Sequence, residues 1–159
     1  MLLPEGYQIR EGSRSDVPLL LDFLELAYQE LFPATENFSH LKETVANLYS
    51  SATPLWFVDP IEPQKTTNKS IGVCWVGNAI DPISGSRYAQ IFLVYVDKQH
   101  RRKKIASAAI ERARNWAKSR GDRQIGLMVS DNNRPAINLY NNLGFKTSFQ
   151  LMIQPLSQQ

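Results

Sequence analysis

The spacing of apolar residues along this chain switches repeatedly between two periods, and each period predicts its own kind of element. Helical spacing predicts helices from a cap at Ser13 or Ser15 to Pro33, from a cap at Ser39 to Tyr49, from Arg102 to Arg120, and from Asn133 to Gly144. Short apolar runs between turn residues predict strands at Tyr7–Arg10, Leu55–Val58, Ile71–Gly77, Tyr88–Val96, Ile125–Val129 and Phe145–Ile153, the last as one strand or two. This order is typical of a mixed sheet with helices on both faces.

The middle of the chain carries the clearest strand–helix–strand pattern. The run IFLVYV within Tyr88–Val96 is apolar without interruption, which indicates a strand buried on both faces. The long helix after it leads into Ile125–Val129, so these two strands are expected to be parallel. The polar stretch 61–70 (IEPQKTTNKS) is predicted to be a loop.

The composition is that of an ordinary globular domain. The 159 residues predict a single domain over 1–159, and 43% hydrophobic with 21% charged residues excludes a disordered or fibrous class. Asp22 and Glu25 interrupt the longest apolar stretch, so no membrane contact is expected, and the first residues show no signal peptide. The lone Cys74 lies among apolar residues, which predicts a core residue and fits a cytoplasmic location. His40 and His100 lack metal-ligand spacing, so no metal is expected.

The positive charge is concentrated in one stretch. The net charge is +3, and residues 101–120 hold eight Lys or Arg against one acid, Glu111. Four of these cations, Arg101, Arg102, Lys103 and Lys104, stand where the long helix begins, and a helix N-terminus binds phosphate through its free N–H groups. Ala106 and Ser107 keep the first turn small, and the Ser107 hydroxyl adds a donor. A solvated helix start or a nucleic-acid patch explains the same charges, so these alternatives stay open.

The segment VSDNNRPAINLYNNLGF is the most specific motif in the sequence. It resembles the pattern N-x-x-A-x-x-L-Y-x-x-L-G-F of the GNAT superfamily of acyl-CoA N-acyltransferases, matched here by Asn133, Ala136, Leu139, Tyr140, Leu143, Gly144 and Phe145. The family's pyrophosphate loop, Arg/Gln-x-x-Gly-x-Gly/Ala, is matched by Arg101 and Ala106. Lys104 replaces its first glycine, and Arg102 stands where a glycine often follows the arginine. The order of elements over residues 7 to 153 agrees with the family.

The resemblance implies a fold and a set of site residues. The expected α/β fold is a mixed, mostly antiparallel sheet of six to seven strands, with helices on both faces and a central parallel splay between the fourth and fifth strands. Acetyl-CoA is the expected co-substrate. Its pantetheine arm would pair with the backbone of Val94 and Val96, and its pyrophosphate would bind residues 101–107, including the Ile105 amide. Asn133 and Ala136 would contact it from the last helix, where Tyr140 matches the general-acid position.

No general base is visible in the sequence. Some relatives, including polyamine acetyltransferases, carry a glutamate at the position of Phe92, which cannot take a proton. Glu30, Glu36 and His40 are candidates acting through water, or the amine arrives neutral. The acceptor is expected near Leu31–His40 and a turn at Lys146–Gln150, where acids are few and a polyamine is not favoured. A peptide N-terminus, a lysine side chain and a small amine all remain.

Two other classes of function compete with the enzyme. One is an acetyl-CoA-binding regulatory domain without turnover, and the sequence leaves open whether the loss of the loop glycines at Arg102 and Lys104 weakens coenzyme A binding. The other is a nucleic-acid-binding module that uses RRKK, but Trp116 lies on the apolar stripe of the helix, so no nucleic-acid partner is expected. A homodimer through the last strand is an analogy with the family only.

Overall fold

The computed structural model describes residues 1–62 and 69–157. The predicted loop at 61–70 therefore lies partly outside the described residues, which omit 63–68. The strands are β1 (Tyr7–Glu11), β2 (Leu55–Pro60), β3 (Gly72–Ile80), β4 (Arg87–Val96) and β5 (Ile125–Leu127). The helices are α1 (Val17–Leu31), α2 (Leu41–Leu48), α3 (Ile105–Ser119) and α4 (Arg134–Asn142), with short 3-10 turns at Arg14–Asp16 and Lys98–His100.

The strands form one mixed sheet in the order β1-β2-β3-β4-β5. The first four strands pair antiparallel, while β4 and β5 are parallel. This confirms the mixed α/β fold and the parallel pairing of β4 with β5, but the pair lies at one edge of the sheet of described residues rather than at its centre. The expected number of strands is wrong, because the sheet of the described residues has five strands rather than six to seven.

The missing strand is the one predicted at Phe145–Ile153. Residues 145–157 have no regular secondary structure, and every residue from Lys146 to Ser157 is exposed. A strand forms only with a neighbour to complete its backbone hydrogen bonds, and the ladder of β5 with β4 spans only Ile125–Leu127. The alternating pattern of this segment is real, but within one chain nothing pairs with it among the described residues.

Helices cover both faces of the sheet. On one face α1 and α2 pack Leu20, Phe23 and Leu41 against Phe57 and Trp75. On the other face α3 packs Ile110 and Ala113 against Cys74 and Ile91, with α4 at the margin. The predicted core role of Cys74 is confirmed, because the side chain is fully buried and this burial raises the pKa of its thiol to about 12. No helix among the described residues is long and apolar enough to cross a bilayer.

Several element boundaries differ from the sequence predictions, and three of the differences have local reasons. The third helix begins at Ile105 rather than Arg102, because Arg102 and Lys104 have left-handed backbones that no helix accommodates. The residue before α2 is His40 rather than Ser39, whose N–H instead bonds the side chain of Asn37. β5 ends at Leu127 instead of Val129, so the end of β4 pairs with β3 but has no strand on its other side among the described residues.

Candidate active site

The open half of β4 is the first part of the candidate site. β5 pairs only with Ala89–Ile91, so β4 from Phe92 to Val96 has no strand on that side among the described residues. Phe92 is an extra residue in the pairing with β3, whose register shifts between Trp75 and Val76. Such a β-bulge bends the strand and increases its twist. The bulge and the early end of β5 leave a gap beside a free strand edge.

Val94 and Val96 turn their backbone groups toward this gap. The N–H of Asp97 bonds the Ile71 carbonyl at 2.8 Å, and successive residues of a strand point to opposite edges, so Val96 and Val94 point away from β3. The Nε of Arg101 already donates to the Val96 carbonyl at 2.7 Å. The N–H of Val96 and both backbone groups of Val94 therefore remain for a ligand.

A loop of four cations connects the open edge to α3. In this loop Arg102 (φ 62°) and Lys104 (φ 64°) have left-handed backbones, which glycine adopts without strain. These are the two positions at which the resembled motif has glycine. The loop therefore keeps the backbone shape of a glycine-containing loop while it carries two more cationic side chains.

The four cations differ in what they contact. Arg101 is ion-paired with Glu30 at 2.9 Å, and the Nζ of Lys103 donates to the hydroxyl of Tyr7 at 3.1 Å. Arg102 and Lys104 are exposed, and the side chain of neither has a hydrogen-bond or ion-pair partner among the described residues. The two residues with strained backbones are thus the two whose charges are free to meet an anion.

The first turn of α3 offers free backbone donors beside these charges. No side chain caps the helix, and its first intrahelical bond runs from the Ala108 N–H to the Lys104 carbonyl at 3.0 Å. The N–H groups of Ile105, Ala106 and Ser107 therefore lack a partner within the helix. The side chains of Ile105 and Ser107 are buried, so it is the backbone N–H groups of these residues that face the loop. Uncapped amides at the positive end of the helix dipole suit phosphate oxygens.

Glu30 ties the end of α1 to this loop. Its carboxylate accepts hydrogen bonds from the Tyr95 hydroxyl at 2.6 Å and from Nη2 of Arg101 at 2.9 and 3.1 Å. Burial acts to raise the pKa of Glu30, but these hydrogen bonds and the Arg101 charge outweigh it and hold the pKa below the usual value. A carboxylate stabilised in this way is a weak base. The sequence singled out Glu30 as a base candidate but gave no sign of its two partners.

A second contact holds the 3-10 turn before the loop. The Tyr7 hydroxyl oxygen accepts a hydrogen bond from the ammonium of Lys103, which can only donate, and shares a 2.8 Å hydrogen bond with Nδ1 of His100. Tyr7 and His100 are both buried. The loop is therefore fixed to β1 on one side and to α1 on the other.

Tyr140 extends from α4 toward the open half of the sheet. Its ring packs edge-on against Phe145 at 5.8 Å and joins the cluster that contains Cys74 and Val94. Its hydroxyl has no hydrogen-bond partner among the described residues. Burial raises the pKa of Tyr140, with a smaller contribution from Cys74. The phenol consequently stays protonated through neutral pH, as a proton donor must.

The orientation of Tyr140 depends on the last turn of α4. Gly144 (φ 89°) closes the helix, with bonds from the Phe145 N–H to the Tyr140 carbonyl (2.9 Å) and from the Gly144 N–H to Asn141 (3.0 Å). From α3, Arg114 donates to the Leu143 carbonyl at 2.6 Å. The sequence did not identify Arg114 as a support for α4, and its only local signal is the i,i+3 pair with Glu111.

Asn133 and Ala136 lie at the start of α4. The Oδ1 of Asn133 accepts from the Ala136 N–H at 3.4 Å, so the side chain acts as the helix cap. The structure thereby gives Asn133 a local role, and its predicted contact with the cofactor stays a prediction.

Phe92 occupies the place where some relatives carry a base. Its ring meets Trp75 edge-on at 5.0 Å and lies over Gly77. A Cβ at Gly77 would stand 2.0 Å from Cε2 of Phe92, so glycine is required for the ring to fit. The bulge position is therefore filled by a packed aromatic ring.

The α1–α2 connection forms an aromatic wall on the other side of α1. Tyr28 contacts Phe32, Phe38 and His40 at ring-centroid distances of 5.7, 6.0 and 6.5 Å. Phe38 is buried, while His40 and the base candidate Glu36 are exposed. The other region expected near the acceptor is a turn between two final strands at Lys146–Gln150. That prediction is wrong, because the described residues contain no strands there.

The cations of α3 bear on the nucleic-acid alternative. Arg114 pairs with Glu111 and Arg120 pairs with Asp122, while Arg101 is held by Glu30. Three of the eight positive charges between 101 and 120 thus meet carboxylates, and the free charge is concentrated at the start of the helix. Among the described residues no group of His, Cys, Asp and Glu has the arrangement of a metal site.

Comparison with known proteins points to one family. A model of the acetyltransferase (GNAT) family matches residues 21–145. An uncharacterized N-acetyltransferase of Methanocaldococcus jannaschii is 30% identical over 145 residues, which is 91% of this chain. The chain spans 62% of the length of that relative.

Solved structures share the fold at lower identity. An aminoglycoside acetyltransferase from an uncultured soil metagenomic sample, in complex with trehalose, superposes with a TM-score of 0.68 at 15% identity, covering 99% of each chain. A ribosomal-protein-alanine N-acetyltransferase from Brucella melitensis biovar Abortus 2308 gives a TM-score of 0.66 at 17% identity, covering 94% of this chain and 99% of the other. These proteins act on small-molecule and protein acceptors, respectively, on the same fold.

Proposed function

Since this chain belongs to the acetyltransferase (GNAT) family, we propose that it is an acetyl-CoA-dependent N-acetyltransferase that moves the acetyl group onto a primary amine. The observation that carries the proposal is a single juxtaposition. The open half of β4 carries Val94, which packs in one cluster with Tyr140, and Val96, which packs in another with Ile105 at the uncapped start of α3. Acyl transfer from a thioester on a long phosphorylated carrier needs all three.

Chemical groups on the two sides of the loop support acetyl-CoA as the donor. A diphosphate fits the amides of Ile105, Ala106 and Ser107 with the free charges of Arg102 and Lys104. The amides of a pantetheine arm fit the free backbone groups of Val94 and the N–H of Val96, as an added strand would. Arg101 and Lys103, also expected to bind the cofactor, contribute by holding the loop on Glu30 and Tyr7.

The reaction proposed is direct attack. The amine lone pair forms the new C–N bond at the thioester carbonyl, and the carbonyl electrons move onto oxygen, which a backbone N–H of β4 stabilises. Collapse breaks the C–S bond, and the leaving thiolate takes its proton from Tyr140. The amine nitrogen releases its extra proton to water or to a base.

Three side chains near α1 are candidates to take the proton that the amine nitrogen releases. Glu30 is engaged by Tyr95 and Arg101, and the pKa of its carboxyl is lowered, so it is not favoured. Glu36 and His40 remain exposed candidates on the α1–α2 connection. An acceptor that arrives as the neutral amine requires none of them. The acceptor class and the expected cytoplasmic location stay predictions.

The test is a comparison of two tyrosines. Tyr140→Phe is expected to lower kcat about 100-fold, within the range of general acid catalysis, while calorimetry shows little change in coenzyme A affinity. Tyr88→Phe, in the paired half of β4, is the matched control and is expected to retain activity. Turnover is measured as free thiol released with a panel of a peptide, a lysine derivative and small amines.

The outcomes separate the candidates. Normal turnover by Tyr140→Phe contradicts the general-acid assignment. Binding of coenzyme A without thiol release for any amine supports the regulatory domain instead. Failure to bind coenzyme A, together with tight and salt-sensitive binding of an oligonucleotide, supports the nucleic-acid module.

A further inference from the structure

We propose that Tyr7 and His100 are positioning residues that form a proton-controlled anchor for Lys103. While His100 is neutral, the anchor holds the Lys103 ammonium on Tyr7; when His100 takes up a proton, the ammonium is released to meet an anion at the start of α3. That anion is coenzyme A if the proposed function holds, and in this respect the inference rests on it.

The anchor consists of contacts between three side chains from different parts of the fold. The Nζ of Lys103 donates to the Tyr7 hydroxyl oxygen at 3.1 Å, and the same oxygen lies 2.8 Å from Nδ1 of His100. The Tyr7 ring also packs edge-on against the imidazole, with the ring centroids 5.6 Å apart. Tyr7 and His100 are buried whereas Lys103 is exposed, so the ammonium is the group that can move away into solvent.

The anchor lies against the two backbone segments that are proposed to bind the acyl carrier. Tyr7 packs in one cluster with Val96 at the end of β4 and Ile105 at the start of α3. Lys103 stands between the two free cations of the loop, two residues before Ile105. A released ammonium therefore adds a third charge beside the uncapped amides. The remaining buried members of the cluster come from β2 and β3 and are apolar, namely Val58 and Ile71.

The charge of His100 decides whether these contacts are compatible with one another. An ammonium only donates, and a hydroxyl has one proton to donate. When Nδ1 of a neutral imidazole is unprotonated, the Tyr7 hydroxyl donates to it and accepts from Lys103, so both hydrogen bonds form. In the imidazolium both ring nitrogens are donors. The Tyr7 oxygen would then meet two donors and two positive charges, which favours release of Lys103.

The other charged groups around His100 support its protonated form. Burial raises the pKa of Asp97, and the nearby His100 opposes that rise, so this carboxylate faces the imidazole. Arg101 acts on the same carboxylate but is ion-paired with Glu30. Lys98, in the same turn as the imidazole, is exposed to solvent. The exposed ammonium on the tyrosine oxygen is therefore the group that yields when the imidazole becomes charged.

The direction of the effect on binding follows from these contacts. Histidine is the side chain whose charge ordinarily changes between about pH 5 and 8. Acidification is thus expected to release Lys103 and to strengthen anion binding. By linkage, a bound anion in turn favours the protonated form of His100.

The first experiment measures affinity by calorimetry at about pH 8 and about pH 5.5, with coenzyme A and with inorganic pyrophosphate as ligands. The variant His100→Asn keeps an acceptor for the Tyr7 hydroxyl but takes up no proton, and its comparison with wild type cancels the titration of the ligand phosphates. The two proteins are expected to bind equally at the higher pH, and wild type about 3- to 5-fold more tightly at the lower pH. His40→Asn, at the exposed histidine, is the matched control and should follow wild type.

A second variant acts in the opposite direction. Tyr7→Phe removes the hydroxyl that holds Lys103, so it is expected to bind about 3- to 5-fold more tightly than wild type at about pH 8, with no further gain over His100→Asn on acidification. Circular dichroism checks that both variants fold. A wild type that parallels His100→Asn at both pH values, or a folded Tyr7→Phe that binds no more tightly at the higher pH, overturns the proposal.

The third experiment needs no variant of the anchor. The chain has two histidines, so nitrogen NMR of the wild type and of His40→Asn assigns the ring signals of His100. Nδ1 is expected to be unprotonated at about pH 8 and both ring nitrogens to be protonated at about pH 5.5. A protonated Nδ1 at the higher pH, or a neutral imidazole at the lower pH, overturns the proposal.

The two ligands distinguish failure of the anchor from failure of the proposed function. Pyrophosphate binding with the expected pH response, but no binding of coenzyme A, contradicts the proposed function and supports the anchor. Coenzyme A binding whose pH response equals that of His100→Asn leaves the proposed function intact and overturns the anchor. Binding of neither ligand contradicts both.

Discussion

At the end of α4 the residue with a left-handed backbone is Gly144 (φ 89°), whereas at the start of α3 the left-handed residues are Arg102 (φ 62°) and Lys104 (φ 64°). The first turn closes on Tyr140 through the Phe145 N–H, and the second adjoins the end of β4 through Arg101 and the Val96 carbonyl. Glycine adopts this conformation freely, but a residue with a Cβ is strained in it by about 1 kcal/mol. The chain therefore uses the unstrained residue where it holds Tyr140 and strained residues where it begins α3.

The difference indicates what each turn is selected for. At Gly144 the turn only has to close a helix, and its free energy is lowest with glycine. At Arg102 and Lys104 glycine would also be more stable, yet the chain places there the two loop cations that have no partner among the described residues. Strain that persists at a site commonly serves binding. The comparison thus supports the view that Arg102 and Lys104 occupy these strained positions because they bind an anion, here the proposed diphosphate.

The largest expected effect comes from removing both strained cations. Arg102→Gly/Lys104→Gly is expected to weaken coenzyme A binding about 10- to 100-fold, because two charge-assisted contacts are lost. The free protein is expected to become more stable. Calorimetry and thermal unfolding measure the two effects, and Lys118→Ala, at the far end of α3, is the control for net charge. If the double variant binds coenzyme A as tightly as the wild type, the two cations do not contribute to ligand binding.

The next effect comes from the other turn. Gly144→Ala is expected to destabilise the fold by about 1 kcal/mol, a fall in Tm of about 2–4 °C, because alanine is strained at φ 89°. It is also expected to lower turnover, since Tyr140 lies in the turn that Gly144 closes. Gly85→Ala, at φ 72° in the connection between β3 and β4, is the matched control. It should lose similar stability and keep its activity; equal losses of activity would contradict the positioning role of the turn.

Strain and charge at a single residue can be separated. Lys104→Gly and Lys104→Ala both remove the cation, but only glycine relieves the backbone, so the two variants should differ in stability by about 1 kcal/mol. Their affinities for coenzyme A should fall equally. Urea unfolding and calorimetry provide the two measurements. If the alanine variant is as stable as the glycine variant, the left-handed conformation is not a source of strain.

The sequence predicts these two turns unequally well. Gly144 is visible in the motif because a glycine after Leu139, Tyr140 and Leu143 ends a helix by itself. Lys104 carries no such signal, and only the resemblance indicates that the family has a glycine at its position. Helix α3 was accordingly predicted to start at Arg102, three residues early. Residue types indicate the backbone conformation that a short segment prefers. The left-handed conformation of this loop is imposed by the packing around it, so residue types do not reveal it.

The same distinction explains the rest of the site. The parallel pair of β4 and β5 follows from apolar runs and was predicted correctly. The contacts of Glu30 with Arg101 and Tyr95 join residues 65 to 71 positions apart and have no periodic signature. The strand predicted at Phe145–Ile153 has the right alternation, but a strand also needs a neighbour, which the alternation does not report.

The smallest expected effect concerns Arg101, the loop residue whose backbone is not left-handed (φ −73°) and whose charge is already paired. The pKa of Glu30 is lowered in the folded protein, so its ion pair stabilises the fold at neutral pH. This contribution is expected to be about 0.5 kcal/mol, because both side chains are partly exposed. It is lost as the pH falls below 4.5 toward the lowered pKa and Glu30 takes up a proton.

Urea unfolding at neutral and acidic pH measures this contribution as the difference between wild type and Glu30→Gln. The difference should be present at neutral pH and shrink on acidification, while the exposed Glu36→Gln shows no difference at either pH. The coenzyme A affinity of Glu30→Gln should change much less than that of Arg102→Gly/Lys104→Gly, because Arg101 supports the loop and the strained cations meet the anion. If Glu30→Gln loses as much affinity for coenzyme A as the double variant, the paired cation Arg101 matters for binding as much as the free cations Arg102 and Lys104. The comparison of the two turns would then lose its basis.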